Sequence, residues 1–153
     1  MTKIISAVAA GFLLAAFFAV SAQTQTGKPK PAALPQGIAG WSGEDSDKLL
    51  TDPSITARLR KLMGRKGYAS FMESFETVTP ITRNGEILFA SGCLIHACTH
   101  VESAIAVDLK NNTIHAAIFR DAEPVRFFNE RGRKTPGPIS AWAARLIELK
   151  KEN

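Results

Sequence analysis

The chain has few of the residues that most often carry chemistry: two cysteines, three histidines and two tryptophans in 153 residues. Both cysteines, Cys93 and Cys98, fall in one stretch, with His96 between them and His100 just after. These ligand types would suit zinc, but structural zinc sites draw their pairs from separated segments. The covalent-haem pattern C-x-x-C-H is absent, and so is the C-x-x-C of a dithiol redox pair. A thiol nucleophile would need a free sulfur and an activating partner. His115 lies in a strand-like run and reads as a structural residue, while Asp121 and Glu123 read as solvated turn residues. The sequence therefore describes a non-enzymatic protein with no cofactor and no metal. A metal-binding or redox role for Cys93, His96 and Cys98 stays open until the state of the thiols is known.

A strong charge of one sign is also missing. The formal net charge is +5 at pH 7, with acidic and basic residues interspersed. That balance does not mark a nucleic-acid binder, and it would draw the protein only weakly to anionic envelope polymers at physiological salt. No internal repeat is visible.

A long apolar run occurs at the N-terminus. Lys3 supplies a positive start, residues 4–20 are almost wholly apolar, and Val20-Ser21-Ala22 makes a small-residue cleavage site. We expect a signal peptide over residues 1–22, cleaved near Ala22, a periplasmic location and no membrane association afterwards. Cleavage removes Lys3 and leaves a net charge of +4. Residues 23–40, with Pro29, Pro31 and Pro35, read as a flexible Pro-rich segment. Residues 41–153 read as one domain. Export to an oxidising compartment makes a Cys93–Cys98 disulfide the expected state of the two thiols.

Within the domain, Asp52-Pro53 is a helix start, because Asp can cap and Pro suits the first helical position. Ile55, Leu59, Leu62 and Met63 follow at helical spacing, and Gly64 or Gly67 ends the run. Residues 68–75 suggest a second short helix with Phe71, Met72 and Phe75 on one side. From Thr77 the texture becomes β. Residues 78–82 predict a strand, Asn84-Gly85 a hairpin turn, and residues 86–91 its return. Val101, Ile105, Val107 and Leu109 predict one face of the next strand, with Glu102 and Asp108 on the other. Residues 113–120 and 124–129 predict two more strands, and residues 130–138 a polar loop. Pro138 or Ser140 opens a terminal helix in which Trp142, Leu146 and Leu149 can pack on the sheet. The fold class is α+β: a central antiparallel sheet of about five strands with flanking helices.

The stretch Cys93-Leu94-Ile95-His96-Ala97-Cys98 sits between two of these strands. A ring so small cannot tuck all its central side chains back into the domain, so one or more must point outward. On spacing alone the ring is either a staple on a β-turn or a binding knob that presents His96.

Strand, C-x-x-H-x-C, strand in an exported domain resembles the Ivy family, inhibitors of vertebrate c-type lysozyme. Thr79-Pro80, the turn at Asn84-Gly85 and residues 88–92 look like the family's run-up to the loop. Residues 104–109, Asn111-Asn112 and residues 116–119 look like the strands that follow. The resemblance implies an Ivy-like fold, a periplasmic setting and a disulfide-closed loop that pushes His96 into the lysozyme cleft. It makes Cys93, Leu94, Ile95, His96, Ala97 and Cys98 the partner-binding residues, and it allows a homodimer. Leu94, Ile95 and Ala97 stand where the family loop carries Lys, Pro and Asp. An apolar loop of this kind also suits a different target, such as the cell's own lytic transglycosylases.

Overall fold

The computed structural model describes residues 32–152. The predicted signal peptide and the first half of the Pro-rich segment lie outside the described residues. No helix among the described residues is long and apolar enough to cross a membrane.

The helical half of the domain follows its sequence signals. A five-residue helix α1 (Asp47–Thr51) precedes the long helix α2 (Pro53–Glu73). Asp52 caps α2 by accepting from the N–H groups of Ser54 and Ile55, with Pro53 at the first position. Gly64 breaks the run with φ 68° and ψ 174°, so α2 is two helical stretches joined at a kink. Such backbone is open to glycine and costly for other residues. The predicted stop and the predicted second helix are thus one feature. Ile55, Leu59, Met63 and Phe71 are buried along α2.

Among the described residues, six strands form one antiparallel sheet: β1 (Thr77–Val78), β2 (Thr82–Asn84), β3 (Ile87–Cys93), β4 (Val101–Asp108), β5 (Thr113–Arg120) and β6 (Arg126–Asn129). The order is β1-β3-β4-β5-β6, with β2 also paired to β3. The predicted strand over residues 78–82 is therefore split. Pro80 has no N–H to give to a ladder, and the chain leaves the sheet there. Thr79 bridges the gap: its hydroxyl accepts from Ser91 N–H and donates to Ser91 C=O. The hairpin turn is shifted by one residue from Asn84-Gly85. Asn84 pairs with Ile87, leaving Gly85 (φ 59°) and Glu86 as the two loop residues. This puts glycine first in the loop, where a positive φ is needed.

Both faces of the sheet are covered. Leu88, Ala90, Ile105, Val107, Ile114, Ala116 and Ile118 pack with α1 and α2. Leu34, Ile38 and Trp41 add to this core, so residues read as part of the Pro-rich segment pack onto the domain. The other face carries Ala104, Ala106, Ala117 and Phe119 beneath the C-terminal helix α3 (Gly137–Glu152). Three alanines make room for Ile139, Trp142, Ala143 and Leu146 of α3. Glu102 lies on this second face, as its place in the strand predicts, and its side chain is buried.

A buried ion pair ties the two halves together. Arg58, buried on α2, binds the Glu130 carboxylate through Nε and Nη2, and also reaches Asn112 and the carbonyl of Ala32. Glu130 in turn accepts Ile114 N–H at 2.9 Å. Burial works to raise the Glu130 pKa, but the hydrogen bonds from Arg58 and Ile114 and the charges of Arg58 and Arg131 outweigh it and hold it below its ordinary value. His115 is buried, with Thr113 Oγ1 at 3.0 Å and Asn129 Oδ1 at 2.8 Å from its two ring nitrogens. Both nitrogens are occupied by structural partners.

Candidate functional site: the disulfide-closed loop

β3 and β4 are joined by seven residues, 94–100, that fold as two tight turns. Leu94 N–H donates to Val101 C=O at 3.0 Å, which continues the ladder one step into the loop. Ala97 N–H then donates to Leu94 C=O at 2.9 Å, closing the first turn over Ile95 and His96. His96 takes a φ of 62°. Histidine is among the residues that tolerate this left-handed region. The second turn is closed by His100 N–H and Val101 N–H, both donating to Ala97 C=O. Within it Thr99 has a φ of 72°, a conformation that a β-branched residue adopts only under constraint.

Cys93 and Cys98 are joined in a disulfide, with Cα atoms 5.0 Å apart, and there is no free cysteine among the described residues. The sulfurs are therefore not thiolates that could ligate a metal or exchange electrons as a dithiol. Cys93 is buried at the end of β3 and Cys98 is exposed. The ring has its root in the sheet and its far side in solvent.

Of the six loop residues singled out by sequence, Ile95, His96 and Cys98 are exposed, and Leu94 and Ala97 are half-buried. Among the described residues, Ile95 is the most exposed large hydrophobic side chain, at 56 %. An imidazole and a branched apolar side chain thus sit side by side at the tip of a covalently closed ring. The tip can offer directed hydrogen bonds from His96 and an apolar contact from Ile95.

Carboxylates hold the loop from below. Glu76 Oε2 accepts Ile95 N–H at 3.0 Å, and Glu102 Oε1 accepts Thr99 N–H at 2.9 Å. His100 Nδ1 lies 3.1 Å from Asp121 Oδ2, and Asp121 N–H donates back to His100 C=O. Asp121, read as a solvated turn residue, instead fastens the loop to the turn after β5. Sequence reasoning missed the roles of Glu76 and Glu102.

A model of the Ivy family, described as inhibitor of vertebrate lysozyme, matches residues 54–149. That is well over half of the chain, and it includes the entire sheet, the loop and nearly all of α3. No curated protein and no solved structure matches the chain. The chain belongs to the Ivy family, whose members inhibit lysozyme and are not enzymes.

Proposed function

We propose that this protein is exported to the periplasm and inhibits c-type lysozyme by setting the Cys93–Cys98 loop into the enzyme's cleft, with His96 as the plug. The observation that carries this reading is the exposed His96 at the tip of a covalently closed ring, in a chain of this family. A retaining glycosidase cleft holds two carboxyl groups about 5 Å apart, one protonated and one ionised. An imidazole between them can hydrogen-bond to both and fill the space the sugar ring needs. Bonds of that kind to an ionised carboxylate are charge-assisted, and so among the stronger ones a protein makes. The disulfide and the two turns order the ring before binding, which lowers the entropic cost of association.

The test is titration of the mature chain, beginning at residue 23, into c-type lysozyme acting on a peptidoglycan suspension. Loss of lysis that saturates at one inhibitor per enzyme supports the reading, and undiminished lysis at excess protein contradicts it. Intact mass of the protein from the envelope fraction tests export: the expected mass is that of a chain cleaved near Ala22, and a chain still starting at Met1 contradicts it.

Ile95 favours a second reading of the target. Its exposed side chain stands beside His96, with Leu94 half-buried next to it, which suits a partner with an apolar pocket. The cell's own lytic transglycosylases are candidates of that kind. Pull-down from a periplasmic extract, with c-type lysozyme as the competitor, separates the two targets.

A further inference from the structure

Glu102 is a buried carboxylate at the edge of the core between the sheet and α3. It stands on β4 directly across from Cys93, and three donors converge on it. Oε1 accepts the Thr99 N–H at 2.9 Å, while Oε2 accepts Trp142 Nε1 at 3.0 Å and Arg145 Nη2 at 3.1 Å. Trp142 and Arg145 belong to α3, so one side chain links the inhibitory loop to the C-terminal helix. A carboxylate is the only side chain that can accept at both oxygens here, because an amide would offer its NH2 to one set of donors.

The Thr99 contact answers a backbone problem. Thr99 has a φ of 72°, where a β-branched residue is strained and stays only if its surroundings hold it. Its amide points at Glu102, and the turn that carries it sets the position of Cys98 and so of the ring. Glu76 makes the matching contact to Ile95 N–H on the exposed side, but Glu102 alone is buried and fixed by α3.

We propose that Glu102 is a positioning residue for lysozyme inhibition: by holding the Thr99 amide it keeps the second turn of the loop in its strained conformation and fastens the His96 ring to α3. This rests on the reading that the loop is the inhibitory element. It adds that a buried carboxylate supplements the disulfide in holding the ring, and that α3 contributes to inhibition without touching the partner.

The experiment compares wild type, Glu102→Gln, Thr99→Gly and the double variant, with two readouts: inhibition of c-type lysozyme and hydrogen exchange at the residue-99 amide. Glu102→Gln should weaken inhibition about tenfold, the effect of losing one hydrogen bond to a charged group. Glycine adopts a positive φ without strain, so Thr99→Gly should restore inhibition in the Glu102→Gln background to within about threefold of Thr99→Gly alone. A loss caused only by weakened packing of α3 would not be rescued by glycine at position 99. Failure of that rescue, or full potency of Glu102→Gln, overturns the proposal. The amide readout does not depend on the target: exchange at Thr99 should be slow in wild type and faster by about tenfold in Glu102→Gln, with β4 and β5 amides unchanged. If wild type does not inhibit lysozyme, the function proposed above falls and the Thr99 amide decides this inference. Rapid exchange at Thr99 in wild type overturns it, even if Glu102→Gln does not fold.

Discussion

Cys93 and Glu102 face each other across β3 and β4, and each closes one side of the same loop. Cys93 does so through its bond to Cys98, and Glu102 by accepting the Thr99 N–H. The covalent and the electrostatic anchors therefore start from one cross-strand pair. That pair sits at the end of a sheet packed on both faces, while Ile95 and His96 stand exposed at the tip of the loop.

Closing so short a ring constrains the unfolded chain only modestly. The paired substitution Cys93→Ser and Cys98→Ser should lower stability by ~2 kcal/mol in the chain-entropy model, read by denaturant unfolding. The oxidised wild type should show no titratable thiol. A stability loss near zero would mean that the turns and carboxylates alone set the ring.

Gly92 is needed where β3 passes beneath Phe75. A Cβ at position 92 would lie 2.7 Å from Phe75 Cδ1 and 3.0 Å from Phe75 Cα. The second of these is backbone and cannot swing away. Gly92→Ala should therefore cost ~1–3 kcal/mol, the usual range for overpacking, seen as a lower melting temperature. An unchanged melting temperature would show that the segment between α2 and β1 moves freely.

The Arg58–Glu130 pair gives the fold an acid limb. Burial works to raise the Glu130 pKa, yet Arg58 and the Ile114 N–H hold it below the ordinary 4.5. A folded-state pKa below the unfolded one adds stability that is complete above the unfolded value and is lost as pH falls through the folded value. Wild type should lose stability as pH drops below about 4.5, and Glu130→Gln should lose less over the same window. Glu130→Gln should also be weaker at neutral pH by about 3 kcal/mol, because Arg58 is left buried without its counter-charge. Parallel pH curves for the two proteins would contradict this account.

Much of this architecture could be read from local signals. Asp52-Pro53 states both the cap and the first helical residue, and the structure uses both. The strand read over residues 113–120 matches β5 residue for residue. The packing of Trp142 and Leu146 on the sheet was readable from helical spacing. The break at Pro80 was missed by the strand read over residues 78–82, although proline cannot donate to a ladder. What stayed hidden depended on partners far away in the chain. Arg58 lies 72 residues from Glu130, and Glu102 lies 40 residues from Trp142. Local pattern places a charged residue outside, and only the tertiary partner makes burial affordable. The loop tip was visible as a motif, whereas the carboxylates that hold its backbone were not, because an N–H partner leaves no mark in the sequence.

The central claim rests on His96, and one measurement tests it most directly. Inhibition of c-type lysozyme by wild type should be compared with that by His96→Ala, with melting temperature as the control. Loss of charge-assisted bonds worth ~1.5–3 kcal/mol each should weaken inhibition at least about tenfold, with little change in melting temperature because His96 is exposed. Leu94→Ala should matter less. A His96→Ala protein that inhibits as well as wild type would contradict the cleft-plug account.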